Sequence, residues 1–218
     1  MTYEEIKKNG AIRTYISQAD DSLRALGYTE HSFAHVTAVA EGAAYILSTL
    51  GFSAREIELV RIAGYLHDIG NLVNRSEHSQ SGALMAFRIL DNLGFPPEEI
   101  ALITTAIGNH DEGTGVPVNP LAAALILADK SDVRRSRVRN ADVSTFDIHD
   151  RVNYSVMNAD LTINDARTLI TLSLTVDTAI SSVMEYFEIF LQRMLLCKRA
   201  AGFFNLAFKM KVNGTSVL

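Results

Sequence analysis

Two adjacent side chains that can ligate a metal follow an apolar stretch of this sequence. His67 and Asp68 lie in the segment Ala63-Gly-Tyr-Leu-His-Asp-Ile-Gly70, whose apolar residues predict a buried position. Polar groups of this kind are rarely buried without a partner. Because a divalent cation accepts both a neutral imidazole nitrogen and an ionised carboxylate oxygen, the pair predicts a metal site.

Further candidate ligands occur on both sides of this pair, each associated with its own apolar helical pattern. A mixed histidine and aspartate set favours iron or manganese, with zinc, cobalt and nickel as alternatives, over calcium, which prefers oxygen ligands. The two oxygens of Asp68 could bridge two ions, and a two-metal site suits the hydrolysis of phosphate esters. The additional candidates are His35, His78, His110 and Asp129.

The spacing of these residues resembles that of the HD superfamily of metal-dependent phosphohydrolases. The resemblance covers about residues 30–135 and implies a helical core with a metal-activated hydroxide as nucleophile. It assigns one metal to His35, His67, Asp68 and Asp129, and in position His78 and His110 correspond to the further histidines of two-metal members. The matching segments are Glu30-His-Ser-Phe-Ala-His-Val36, Gly64-Tyr-Leu-His-Asp-Ile-Gly70, Glu77-His-Ser79, Ile107-Gly-Asn-His-Asp111 and Leu127-Ala-Asp-Lys130.

The resemblance also bears on the substrate, which we expect to be a phosphate mono- or diester of a nucleotide or dinucleotide. In the branch that cleaves cyclic dinucleotides, a lysine follows the His-Asp-Ile-Gly run and two adjacent histidines precede the glycine loop. This chain has Asn71 and the pair Asn109-His110 at those places, which argues against a cyclic dinucleotide. The layout is similar to that of the small branch that hydrolyses dinucleoside polyphosphates.

Catalytic roles are expected for Asp68, His110 and Lys130, of which Lys130 would neutralise the substrate phosphate. Other candidates for phosphate contact are Asn71 and Arg134, since an arginine fork matches phosphate oxygens. Each has a structural alternative: Asn71 could cap a helix, and the basic run from Lys130 to Arg139 could be a solvated helix end.

Two acidic residues and two histidines keep open interpretations. Asp111 and Glu112 could act as acid or base, or could line a turn. His31 is either a pocket-wall residue or exposed, and His149 has no partner pattern.

Helices must position these side chains. Apolar residues at three- and four-residue steps predict helices over about 12–26, 30–50, 53–67, 78–93, 98–109 and 120–129. Ser53 and Glu56 form the pattern of a capping box, and Gly51 ends the preceding helix. Gly64 allows another backbone to come close.

Beyond residue 157 the hydrophobic period changes from 3.6 to 2, which predicts strands around 161–163, 170–176 and 204–212, with a helix over 178–201. We therefore expect a mainly α protein. An HD-type helical metal-binding domain would occupy 1–157, followed by an α+β unit over 158–218 with a three-stranded antiparallel sheet and one long helix. The exposed strands suit a homodimer interface or a regulatory surface.

Composition limits the cellular context. The net charge of −5 argues against nonspecific binding to nucleic acid or an anionic membrane. The single cysteine, Cys197, is compatible with a reducing compartment. The first residues lack the apolar core of a signal peptide, and the longest apolar run, Leu121–Ala128, is short for a membrane span. These features favour a cytoplasmic protein.

Two other classes of function are compatible with the same ligand set. In a sensing module, the site would bind metal and nucleotide without turnover, and the C-terminal sheet would transmit the bound state. In a di-iron oxygenase, a related helical fold would oxidise its substrate. Nucleotide binding without hydrolysis indicates the first, and an air-dependent product without phosphate release indicates the second.

Overall fold

The structure, a computed structural model, describes residues 1–217. Over this range nine α-helices precede or interrupt a small mixed sheet, and short 3₁₀ turns cover Ile69–Leu72, Arg135–Arg137 and Val143–Thr145. The helices are α1 Tyr3–Lys8, α2 Gly10–Ala25, α3 Phe33–Leu50, α4 Ala54–Leu66, α5 His78–Asn92, α6 Pro97–Gly108, α7 Pro120–Ser131, α8 Ile148–Ser155 and α9 Val183–Phe203. The strands are β1 Val156–Ile163, β2 Leu169–Val176, β3 Ala207–Val212 and β4 Thr215–Ser216.

The predicted helix boundaries around the His-Asp pair are confirmed. Ser53 and Glu56 form the complete capping box at the start of α4. Gly51 ends α3 with a φ of 85°, a left-handed conformation that glycine adopts without the steric cost of a Cβ atom. The α3–α4 connection is therefore short, and the two helices pack against each other.

Helix α7 lies at the centre of the helical layer. Every side chain from Leu121 to Ala128 is buried, because α7 packs against α3, α4 and α6 and also against α9. A helix that is apolar on all sides is stable only when other elements cover all its faces. Asp129 and Lys130 follow directly and are carried into the interior.

Helix α3 is long and apolar enough to span a membrane by length and composition alone. In this fold it packs against α4 and α7, and its buried face carries His35. The apolar residues of α3 therefore contribute to the protein core.

The predicted three-stranded antiparallel sheet is wrong in two respects. Within residues 1–217 the sheet has four strands in the order β1-β2-β3-β4, because the turn at Asn213-Gly214 adds the two-residue β4. β1 and β2 pair antiparallel as a hairpin, but β2 and β3 run parallel. The reason is the connection: α9 crosses over between β2 and β3, and such a helical crossover returns the chain in the same direction.

Gly64 is the closest point between α3 and α4. A Cβ atom at this position would lie 2.7 Å from the Ala40 Cα and 2.9 Å from its nitrogen, so any side chain would force the two backbones apart. Because α3 carries His35 and α4 ends at His67, this separation also sets the distance between two site residues.

We therefore expect Gly64→Ala to lower the free energy of unfolding by about 1–3 kcal/mol, the usual cost of overpacking. Urea denaturation monitored by circular dichroism measures this change. Gly202→Ala in α9 is the matched control, since a Cβ there meets no atom within 4 Å. Equal stability of the two variants would contradict the proposed close approach.

Candidate metal centre and adjoining cleft

Three predicted ligands meet on one side of Asp68. His35 comes from the first turn of α3, His67 follows α4, and Asp129 lies near the end of α7. The Asp68 Oδ2 is 3.4 Å from His35 Nε2 and 3.3 Å from His67 Nε2. The Asp129 Oδ1 lies 3.4 Å and 3.7 Å from the same two nitrogens.

Two further predicted ligands face the other oxygen of Asp68. His78 begins α5 and His110 follows α6. Their Nε2 atoms are 3.6 Å and 4.0 Å from Asp68 Oδ1 and 3.2 Å from each other. The structure thus brings all six predicted ligands together, with one carboxylate between two groups of donors.

The four imidazoles share one tautomer. Each Nδ1 lies within 3.1 Å of an oxygen that accepts its proton: an Asp132 carboxylate oxygen for His35, and the carbonyl oxygens of Gly64, Arg75 and Ile107 for the other three. With Nδ1 protonated, each Nε2 presents its lone pair to the centre.

Two buried nitrogen atoms without hydrogen-bond partners indicate that the site fits a divalent cation. The Nε2 atoms of His35 and His67 are buried and have no hydrogen-bond partner. Unpartnered buried polar atoms are costly, and a metal ligand bond would remove this cost. The clusters His35–His67–Asp129 and His67–Asp68–His110 each bring their donor atoms close enough for one ion.

The electrostatics of the centre also favour a cation. Burial disfavours a charged His67, but the Asp68 and Asp129 carboxylates outweigh burial and raise its pKa to about 10. Burial would raise the pKa of Asp68, yet the neighbouring His67 and His35 hold it well below its usual range. Burial, with the charges of His67 and Lys130, holds the pKa of His110 well below its usual value. The carboxylates are therefore ionised and His110 is neutral, as ligation requires, and a bound cation would take the place of the proton that these carboxylates favour on His67.

Backbone contacts at two glycines hold His78 in place. A Cβ at Gly70 would overlap the His78 carbonyl oxygen, and a Cβ at Gly82 would lie 3.1 Å from the His67 oxygen. Helix α5 therefore packs directly on the turn after His67-Asp68, which brings His78 to the centre.

Two residues orient the ligands. Asp132 accepts the Nδ1 proton of His35 at 2.7 Å. Asn71, predicted as a phosphate contact, is buried and donates from Nδ2 to the backbone oxygen of Asp68 and to its Oδ1, at 2.9 Å and 3.0 Å. In this structure Asn71 positions a ligand.

Lys130 is held between two carboxylates. Its Nζ lies 2.7 Å from Asp129 Oδ2 and 2.7 Å from Glu112 Oε2. Glu112 in turn accepts a hydrogen bond of 2.9 Å from Arg193 Nε on α9. A chain of opposite charges thus connects the metal centre to the C-terminal helix.

A cleft of about 490 Å³ adjoins the centre. Its wall includes His31, whose ring packs against that of His35 with centroids 5.3 Å apart. The exposed His149 also lines the cleft. Three arginines also face the cleft, namely Arg75, Arg137 and Arg193.

Arg134, another predicted phosphate contact, lies elsewhere. It makes ion pairs with Glu30 and Asp132 at 3.0 Å and 2.9 Å and lines a separate surface groove. Asp111 stays at the rim of the centre, with Oδ1 3.9 Å from His78 Nε2.

Sequence reasoning missed Asp132 as a positioning residue and missed Arg75 and Arg193 altogether. Asp132 stands three residues after Asp129, one helical turn away, and that spacing was a usable signal. Arg193 gave no such signal, because 63 positions separate it from Lys130 and only the packing of α9 on α7 brings it to the site.

The fold and the donor set define a class, a helical domain with a histidine and aspartate metal centre. Residues 32–134 match the family model of the HD domain, which confirms the predicted resemblance. This part of the chain, which carries the six converging side chains, is therefore similar to the domain of the HD superfamily. Members of this class bind divalent metal, and the six converging side chains are compatible with that property.

Two individual proteins are also similar. An uncharacterized protein of Methanocaldococcus jannaschii is 27% identical over 162 residues, covering 64% of this chain and 62% of the relative. The chain thus matches less than two thirds of that protein's length. A crystal structure described as a predicted HD superfamily hydrolase, from an uncultured Thermotogales bacterium, is 22% identical, covers 60% of this chain and 73% of its own, and has a TM-score of 0.44.

The position of Asp132 behind His35 leads to a prediction about metal affinity. Asp132→Asn removes the negative charge that strengthens the imidazole as a ligand while preserving side-chain shape. We expect a 10–100-fold weaker affinity for Mn²⁺, the usual effect of removing such a partner, measured by isothermal titration calorimetry. Asp91→Asn, which changes an exposed carboxylate at the end of α5, is the control and should bind Mn²⁺ as the unmodified protein does.

Proposed function

We propose that this protein is a divalent-metal-dependent phosphohydrolase that cleaves a phosphate mono- or diester of a nucleotide or dinucleotide. The HD domain supports the general class of reaction. The substrate class is supported by the arginine-lined cleft beside the centre, because guanidinium groups match the geometry and charge of phosphate oxygens.

The observation that carries the proposal is the position of Asp68. Its Oδ2 faces His35 and His67, and its Oδ1 faces His78 and His110. A carboxylate with donors on both sides is suited to join two cations, iron or manganese by the chemistry of the donors. When bound, such cations lower the pKa of water and offset the charge that builds on phosphate during attack.

The chain's own residues have defined tasks in this proposal. Asn71 and Asp132 fix the orientation of Asp68 and His35. The Lys130 ammonium has three protons and, within residues 1–217, forms ion pairs with only two groups, Asp129 and Glu112. The third can be donated to a phosphate oxygen, so Lys130 would both hold Asp129 and neutralise substrate charge.

The test is an assay of protein loaded anaerobically with Fe²⁺ and, separately, with Mn²⁺ on nucleotides, dinucleotides and generic phosphate esters. We expect phosphate or nucleotide release, with His67→Ala lowering it at least 100-fold because a ligand shared by both clusters is lost. Arg88→Ala removes an exposed side chain on α5 outside the ligand set and the cleft, and should retain both metal and hydrolysis.

The other outcomes identify the competing functions. Nucleotide binding without release in either metal form would replace the hydrolase with a sensing module. An oxygen-dependent product without phosphate release would indicate an oxygenase. Unchanged metal content and hydrolysis in His67→Ala would contradict the assigned centre itself.

We also propose a homodimer formed through the C-terminal sheet. β1 is an edge strand, and within the described residues its outer edge has no pairing strand. Such an edge can extend the sheet into a second copy. We expect light scattering at micromolar concentration to give the mass of two chains. Asn158→Pro in β1 should shift the measured mass toward that of a single chain. A monomeric mass for the unmodified protein would contradict the proposal.

A further inference from the structure

Three guanidinium groups from distant parts of the chain converge on the cleft. Arg75 comes from the loop before α5, Arg137 from the turn after α7, and Arg193 from α9. Each also contacts the metal centre or a residue that positions it: Arg75 Nη1 is 3.4 Å from His78 Nε2, Arg137 is 3.7 Å from Asp132, and Arg193 binds Glu112. The arginines therefore line the inner end of the cleft.

Arg75 is a cation without an ion-pair partner among residues 1–217. Its hydrogen-bond contacts within that range are neutral, the Asn71 Oδ1 and the His78 ring, and its guanidinium stacks over Tyr28 at 5.6 Å. A partly buried charge without a counter-charge is unfavourable. An anion in the cleft would supply the missing partner.

Arg193 is oriented for the same role. Its Nε donates to Glu112, while its guanidinium lies 4.6 Å from the Phe190 ring centre, which fixes the plane of the fork. In the described part of the chain, Nη1 and Nη2 make no hydrogen bond, although the group lies in the cleft wall. A fork with two free donors and a fixed plane is the geometry that binds two phosphate oxygens.

The other residues that line the cleft differ in character. Tyr28 and His149 provide aromatic faces, and Asp150 and Asn153 provide polar groups. Carboxylate and amide groups bind hydroxyls, and aromatic rings stack on bases. The volume of about 490 Å³ lies in the range of small-ligand sites.

We infer that this cleft binds the part of the substrate beyond the phosphate under attack, namely a second phosphate group held by Arg75 and Arg193 with its nucleoside toward Tyr28 and His149. The preferred substrate is then a nucleotide with at least two linked phosphates. Helix α9 contributes Arg193 and so forms part of the substrate site. That the bound molecule is a substrate rests on the proposed function, whereas the binding site itself is inferred from the cleft alone.

The test is calorimetric titration of the Mn²⁺-loaded protein with three probes: α,β-methylene-ADP, methylenediphosphonate and adenosine. The methylene bridge resists cleavage, so affinity is measured without turnover. We expect α,β-methylene-ADP to bind most tightly, methylenediphosphonate about tenfold more weakly, and adenosine most weakly.

Single variants assign the contact. Arg193→Gln and Arg75→Gln should each weaken α,β-methylene-ADP binding about tenfold or more, the effect of losing a charge-assisted hydrogen bond. Adenosine affinity and Mn²⁺ content should not change. Arg199→Gln on the same helix and the exposed Arg88→Gln on α5 are matched controls and should bind as the unmodified protein does. Arg193→Gln removes an ion pair with Glu112 and could destabilise the fold. Arg75→Gln removes no ion pair, so its effect on binding still tests the inference in that case.

Equal affinity for adenosine and α,β-methylene-ADP, or equal losses in Arg193→Gln and Arg199→Gln, would overturn the inference. Tight binding of α,β-methylene-ADP by a protein that hydrolyses no ester would leave the inference standing and would remove only the proposed hydrolase.

Discussion

Mutual repulsion among the acceptor atoms around Asp68 is the constraint on which the rest of the structure depends. The Nε2 atoms of four imidazoles and two ionised carboxylates point at one another, and the Nε2 atoms of His78 and His110 are only 3.2 Å apart. No hydrophobic contact stabilises such a grouping, which is unfavourable without a bound cation or proton. The helices must therefore hold it in place by packing energy gained elsewhere.

The core supplies that rigidity through close backbone contacts. The contact of Gly64 with Ala40 determines the distance between α3 and α4. The close approaches at Gly70 and Gly82 let α5 pack directly on the turn after His67-Asp68. The buried α7 then fixes Asp129 relative to all of them. Because the ligands come from five different elements, their geometry is a property of helix packing, and a shift of one helix alters several ligand distances together.

The six ligands could be predicted because local sequence carried them: apolar helical periods, the adjacent His67-Asp68 pair and the HD spacing all lie within short segments. Gly64 was predictable for the same reason, as a small residue in a buried helix face. The contact between Asn71 and Asp68 could not be predicted, because a position beside the ligands does not show which neighbour the amide contacts. The position of Arg193 at the site and the parallel β2–β3 pairing could not be predicted, because both depend on where α9 packs.

The crossover through α9 has a consequence for the order in which the protein is completed during synthesis. Chains emerge from the ribosome with the N-terminus first, and domains fold as units as they emerge. The last of the six candidate ligands is Asp129, so a nascent chain carries the full candidate set long before Phe190 and Arg193 have been synthesised. The cleft is finished only when α9, which carries these two residues, has docked on α7. A nascent chain thus holds the six candidate ligands while one face of α7 is still uncovered, and the docking of α9 completes the helical layer and the cleft in one step.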